Sequence, residues 1–254
     1  MYRVKSGDGI VLITGGSSGI GKGLVDKFRA DGYTVVTISR QPTPDQYAYV
    51  GDVTNRNQMR EVIDKIIKKY DKIALVIANA GGDIHKKPDW FGDNFRYTFD
   101  LNFTGVLNTL EFVIPKMNKQ EYGHVVIISS VSGYNGLPYL NFAYTTAKAA
   151  LIHLGQSLKW KLDKRNIRIQ IVCPGYIDTP LNKDAKIALP FIMCENKAIE
   201  KIYKGLMKSG FEIAFPRLTT VFGLKLLNVL PYFLYFRVVD LCCKFSFAFK
   251  FKRF

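Results

Sequence analysis

A tyrosine and a lysine four positions apart, in Tyr144-Thr145-Thr146-Ala147-Lys148, are the residues of this chain best suited to proton chemistry. On a helix that spacing puts both side chains on one face, so they can address a single site. An isolated phenol, ionising near about pH 10, is a poor acid or base at neutral pH; an adjacent ammonium favours the phenolate and brings it towards the working range. A second arrangement lies close to the N-terminus. Thr14-Gly15-Gly16-Ser17-Ser18-Gly19-Ile20-Gly21 follows the apolar run Ile10–Ile13 directly and opens a helical stretch. Glycines placed there let the backbone turn tightly and approach a pyrophosphate, whose charge then faces the free N–H groups of the helix start. Taken singly, each pattern also fits something plainer: a solvated helix face for the Tyr/Lys pair, a simple strand-to-helix turn for the glycine loop.

The elements that must position these groups show as an alternation of two periodicities. Ile10–Ile13, Thr34–Ile38, Ala48–Val50, Ile73–Ile77, Val125–Ile128, Ile167–Val172 and Phe211–Phe215 are short apolar runs, as strands buried on both faces must be. Between them Gly19–Ala30, Asn55–Tyr70, Phe95–Met117 and Ala143–Lys164 carry helical patterning; in the second, Val62, Ile66 and Ile67 line one side while Arg60, Lys65 and Lys68 face water. Alternating β and α predicts an α/β fold, a Rossmann-type doubly wound parallel sheet of about seven strands with helices on both faces. One domain is expected over residues 1–216, with a helical lid at 181–209, followed by a basic, aromatic C-terminal extension at 217–254.

Four further motifs fall in order between and after the first two: Asn79-Ala80-Gly81 after the fourth strand, Asn102 in a helix, Ser129-Ser130 closing the fifth strand, and Pro174-Gly175 after the sixth with Thr179 beyond it. Together with the glycine loop and the Tyr/Lys pair, this set resembles the short-chain dehydrogenase/reductase family, in its TGxxxGxG and YxxxK form, over residues 10–180. The resemblance implies hydride transfer between a nicotinamide cofactor and a carbonyl or alcohol on the CH–OH side. It makes Tyr144 the general acid/base, gives Lys148 the nicotinamide ribose, and gives Asn102 the support of a proton-relaying water. Asn102 could equally satisfy backbone within its helix. Ser130 is the expected hydroxyl donating to the substrate oxygen on which charge develops. The serine-to-tyrosine spacing is one residue longer than the family's, from an extra residue in Pro138–Phe142, and Ser129 and Ser132 remain alternatives. The resemblance places the cofactor on Gly15, Ser17, Ser18, Gly19, Ile20 and Gly21, on Asp52 and Val53 near adenine, on Asn79, Ala80 and Gly81, on Tyr144 and Lys148, and on Pro174, Gly175, Ile177 and Thr179.

NAD-preferring relatives carry an acid at the end of the second strand, but here that strand ends Thr37-Ile38-Ser39-Arg40. Ser39 can bond a 2′-phosphate and Arg40 can pair with it and stack on adenine, which favours NADP. No histidine or cysteine stands at a metal-binding spacing, so no metal is expected; His85, His124 and His153 are assigned structural or surface places, and Cys173, Cys194, Cys242 and Cys243 are taken as reduced packing residues.

The formal charge of +15 asks for an anionic partner. Residues 217–254 hold seven Lys/Arg against the single acid Asp240, on a segment rich in Leu and Phe. Its apolar run Leu226–Phe236 has only 11 residues and contains Pro231, against about 20 for a membrane span. Two readings of the tail stand side by side: a segment lying in a membrane interface, or one packed on the subunit or a dimer partner. Met1–Asp8 lacks the apolar core of a secretory signal, so a cytoplasmic place is expected, peripheral at the inner membrane face if the tail binds there. The tail replaces the glycine-rich end of many relatives, which argues against their tetramer; a homodimer is expected, with a small hydrophobic carbonyl or alcohol as substrate and no nucleic acid partner, since no stacking platform or recognition helix appears. A non-catalytic NADP-binding regulator, or a carrier-protein- or CoA-linked 3-oxoacyl reductase, are the competing functions.

Overall fold

Strands whose side chains are apolar on both faces can only be stable at the centre of a layered structure, and that is where they lie. The computed structural model describes residues 2–82, 91–138, 140–178, 192–216 and 221–251. In chain order the elements are β1 (Ile10–Thr14), α1 (Gly19–Ala30), β2 (Val35–Ser39), β3 (Ala48–Val50), α2 (Arg56–Tyr70), β4 (Ile73–Ala78), α3 (Asp93–Phe99), α4 (Gly105–Lys119), β5 (Gly123–Ile128), α5 (Phe142–Asp163), β6 (Ile167–Pro174), β7 (Ile177–Asp178), β8 (Met193–Cys194), α6 (Glu195–Leu206), β9 (Glu212–Phe215), α7 (Phe222–Leu227) and α8 (Tyr232–Phe251). Seven strands form one sheet in the order β3-β2-β1-β4-β5-β6-β9, and its pairings are all parallel.

Side chains alternate between two cores. Ile10 and Leu12 of β1 join Met59, Ile63 and Ile66 of α2, Val113 and Met117 of α4 and Leu151 of α5. Val11 and Ile13 join Leu24, Val25 and Phe28 of α1 and Ala198, Ile202 and Leu206 of α6. Burying each large aliphatic side chain contributes roughly 1.5–3 kcal/mol, so both layers are needed to hold the sheet. The register of the central strands β1, β2, β4, β5 and β6 is fixed by this two-sided burial, and with it the height at which each of them ends.

The expected helix Phe95–Met117 is divided in two. α3 ends at Phe99, a π-helical turn runs Asp100–Thr104, and α4 resumes at Gly105. The predicted lid is represented by Ile192, half exposed, then by β8 and α6; its Leu189, Pro190 and Phe191 lie outside the described residues, as do His85 and Thr179. The tail forms two helices, α7 and α8, and no described helix is long and apolar enough to cross a membrane. Cys173 is buried but Cys194 and Cys242 are exposed, which corrects their assignment as packing residues: Cys194 lies on a two-residue strand at the surface and Cys242 on the outer side of α8. His124 is fully buried in β5, and desolvation pushes its imidazole pKa down to about 3, so it is neutral; His153 is exposed on α5.

Candidate functional site

Parallel strands end on one edge of the sheet, and the order reverses between β1 and β4, so a crevice opens beyond their carboxyl ends. Into it run the Thr14–Gly21 loop after β1, Ser39 at the end of β2, Asn79–Gly81 after β4, Ser129–Ser130 after β5 and Pro174–Gly175 after β6.

The glycine loop is built against the turn after β4. Gly15 takes φ +69°, a left-handed conformation that a side chain disfavours. A Cβ on Gly21 would stand 2.1 Å from the Gly15 carbonyl oxygen and 2.6 Å from Asn79 Nδ2. Asn79 Nδ2 donates to the carbonyls of Thr14 at 3.0 Å and Gly15 at 3.1 Å. In return the Thr14 hydroxyl accepts from the N–H groups of Asn79 and Ala80, both at 3.1 Å. Ser17 and Ser18 are exposed at the start of α1, with Ile20 half-buried behind them, and the Ser18 side chain makes no capping bond to the helix. A bare helix start framed by glycines is a fitting seat for a pyrophosphate.

At the end of β2, Ser39 is 8% exposed and its Oγ has no hydrogen-bond partner among the described residues. Arg40 beside it is exposed and donates from Nη1 to the hydroxyl of Tyr97 at 2.6 Å. Asp52 is turned inward to its own loop: Oδ1 accepts from the Thr54 N–H at 2.9 Å and the Thr54 hydroxyl at 2.8 Å. Val53 is buried against Gly105.

The first turn of α5 is fixed by its cap. Asn141 Oδ1 accepts from the N–H groups of Ala143 at 3.0 Å and Tyr144 at 3.5 Å. One turn on, Lys148 is 4% exposed and donates from Nζ to the Ile128 carbonyl at 2.9 Å. Its Nζ lies 5.4 Å from the centre of the Tyr144 ring. Burial pushes the Lys148 pKa down to about 8, a nearby Cys173 acting weakly the other way. A Cβ on Gly81 would come within 2.7 Å of Asn102 Oδ1 and 3.4 Å of Lys148 Nζ, so the β4 turn, the π-helical turn and α5 meet at one point. Asn102 Nδ2 donates to the carbonyls of Gly82 at 2.7 Å and Thr98 at 2.8 Å, and Oδ1 accepts from the Gly82 N–H at 3.1 Å. Its amide therefore holds the β4 turn in place.

The three serines separate. Ser129, 2% exposed, donates to the Lys148 carbonyl at 2.8 Å and is turned into α5. Ser130 Oγ accepts from the Ser132 N–H at 3.2 Å and hydroxyl at 2.9 Å, and stands 3.5 Å from the Pro174 carbonyl. That last distance is long for a hydroxyl, so the Ser130 proton is available to another acceptor. Gly175 donates to the Phe215 carbonyl at 2.8 Å, and Ile177 is buried on β7.

The tail makes contacts near the site that the sequence motifs did not indicate. Asn135 Nδ2 donates to Asn228 Oδ1 at 2.7 Å, Asn228 Nδ2 to the Tyr134 carbonyl at 3.1 Å, and the Tyr235 hydroxyl to the Gly136 carbonyl at 3.0 Å. Tyr134 also donates to Glu212 at 2.8 Å, which pairs with Lys225 of α7. Residues 134–136, between Ser130 and Tyr144, are thereby tied to α7 and α8.

Residues 9–189 match the short chain dehydrogenase family. The chain is 34% identical over 193 residues, 68% of its length and 76% of the other, to a 3-oxoacyl-[acyl-carrier-protein] reductase of Thermotoga maritima. It is 31% identical over 183 residues, 70% of its length and 68% of the other, to a 3-ketodihydrosphingosine reductase of Bacteroides thetaiotaomicron. Among solved structures, ElxO with NADP bound superposes with a TM-score of 0.70 at 26% identity, over 82% of this chain and 97% of that one. This chain belongs to the short chain dehydrogenase family.

Proposed function

We propose that this chain is an NADP(H)-dependent oxidoreductase that interconverts a ketone or aldehyde with an alcohol and works as a reductase of a hydrophobic, lipid-like carbonyl compound. The observation that carries the reading is the buried Lys148 ammonium one helical turn from Tyr144, at the crevice bounded by the glycine loop. The bound cofactor would supply or accept the hydride. Gly15–Gly21 and the start of α1 would take its pyrophosphate, Ser39 and Arg40 its 2′-phosphate, and Lys148 its nicotinamide ribose. The end of β2 carries no carboxylate to accept from a ribose diol, while the unpartnered Ser39 hydroxyl and the exposed Arg40 are both able to donate to a phosphate, which favours the 2′-phosphate.

Ser130, whose proton is free to turn, would donate to the substrate oxygen, and Tyr144 would exchange the proton on that oxygen. Lys148 would favour the phenolate through its charge. Asn102 would fix the Gly81–Gly82 turn and, as in the family, support a water that relays protons to Lys148. The subunit would act as a homodimer, with its C-terminal extension meeting a membrane surface. Similarity to the Thermotoga maritima enzyme favours one second reading, a carrier-protein- or CoA-linked 3-oxoacyl reductase.

An NADPH-oxidation screen decides between them, using free ketones graded by chain length alongside 3-oxoacyl thioesters. Rates rising with chain length among free ketones support the first reading; turnover of thioesters alone supports the second. Tyr144→Phe should lower turnover by about 10²–10⁴-fold with the fold intact. An unchanged rate would refute catalysis by this site.

A further inference from the structure

The geometry points to the outward face of α7, α8 and the turn between them as a docking surface for an anionic lipid bilayer, bonded on its inner side to residues 134–136 of the segment that joins Ser130 to Tyr144. This deepens the proposed function and rests on it for the identity of the substrate. Both helices already have an inner side: Leu224 of α7 packs, partly buried, on the core beside the buried Val221 that precedes the helix, and Tyr235 and Val239 of α8 are buried. Yet Phe222, Leu226, Val229, Tyr232, Phe233 and Phe236 are turned outward, each more than half exposed, from 53% at Leu226 to 80% at Tyr232. An aromatic side chain offers roughly 150–250 Å², so these six present on the order of 500 Å² of apolar surface, at the upper end of what a monomer leaves uncovered.

Charge decides what covers it. Residues 217–254 hold seven Lys/Arg and one acid; Arg237, Lys225 and Lys244 are exposed on the two helices, Lys225 paired with Glu212 and Lys244 with Asp240, so that the excess of positive charge rests on Arg237 and the remaining basic residues of the segment. A second copy would set one strongly cationic tail against another, which is repulsive. Phosphate headgroups would attract it, while aromatic rings sink to the acyl boundary and the basic heads stay at headgroup level. With no described helix able to span, the segment would lie on the bilayer. The three bonds between Asn228, Tyr235 and residues 134–136 then tie the docked face to the segment that joins Ser130 to Tyr144, which would hold the site near the lipid from which an apolar substrate is drawn.

The test is co-sedimentation of the full chain with phosphatidylcholine vesicles, and with the same vesicles containing about one third phosphatidylglycerol. We expect at least about tenfold tighter binding to the anionic vesicles, weakened by salt. The double variant Val229→Ser/Phe233→Ser should lose binding by about tenfold or more, with unchanged melting temperature and unchanged turnover of a small soluble ketone. Equal binding of both vesicle types, or of neither, would overturn the inference. So would a fall in particle mass of the double variant by equilibrium sedimentation, since a second copy would then be the occupant. If the wild-type chain binds vesicles but reduces no carbonyl compound, the docking surface stands and the proposed reaction fails.

Discussion

Replacing Thr14 by valine keeps the shape of the side chain and removes one oxygen, which makes it a clean probe of how the crevice is held open. Thr14 is 1% exposed, and its hydroxyl accepts from two backbone N–H groups, those of Asn79 and Ala80. In Thr14→Val both donors lose their partner. A buried donor left unsatisfied costs about 1–3 kcal/mol; because Asn79 and Ala80 are themselves half-buried, water can reach them in part, and about 1–2 kcal/mol each is the appropriate range. The variant should lose about 2–4 kcal/mol of a total that for such domains is about 5–15, and melt roughly 5–15 °C lower. Thr14→Ser keeps the acceptor and loses one methyl, at about 1 kcal/mol. Urea denaturation of the three proteins, with unchanged slopes, gives the comparison directly. Valine as stable as serine at this position would refute the reasoning. The loosened Asn79 should also weaken NADP(H) affinity in the valine variant and leave it intact in the serine one.

Lys148→Met tests the buried ammonium through pH. Its folded pKa of about 8 lies below the 10.5 of an open chain, so the unfolded chain binds more protons between those values and stability rises with pH there. The penalty is full below about pH 8; the stability of wild type relative to Lys148→Met should therefore rise between neutral pH and about pH 10, and a constant difference would contradict it. Arg40→Asp should lower the NADPH/NADH ratio of kcat/KM by about ten- to a hundredfold, read by paired initial-rate assays. Ser130→Ala should cut kcat by about a hundredfold, whereas Ser129→Ala should keep the rate and lose about 1 kcal/mol of stability with its bond to the Lys148 carbonyl.

The parallel sheet could be read from the chain because burial on both faces favours apolar residues: β1, β2, β4, β5 and β6 are predominantly apolar, with His124, Arg168 and Gln170 the buried polar exceptions in β5 and β6, and they stand within a residue or two of their expected limits. The site's glycines and Asn79 were legible for a similar reason, since close approach of two backbones excludes a side chain at Gly15 and Gly21. The π-helical turn at Asp100–Thr104 was not. It differs from an α-helix by one residue of hydrogen-bond register and leaves no trace in composition. Nor could the chain say which serine hydroxyl faces where, because Ser129 and Ser130 are neighbours whose directions are opposed only by the strand's alternation. The tail's helices escaped because their apolar residues fall on both the inner and the outer side, so no single stripe marks them. Asn135, Asn228 and Tyr235 belong to no motif, and their pairing is a matter of tertiary placement.

That pairing has a thermodynamic consequence. A segment bonded on one side to the loop between Ser130 and Tyr144 and exposed on the other is shared by two equilibria. If occupancy of the outer face changes the strength of those three bonds, substrate affinity changes by some factor, and substrate must change the affinity of the outer face by the same factor. Saturating substrate would then serve as a reporter of whatever the tail holds, and measuring either affinity with the other ligand present gives the coupling without locating the path.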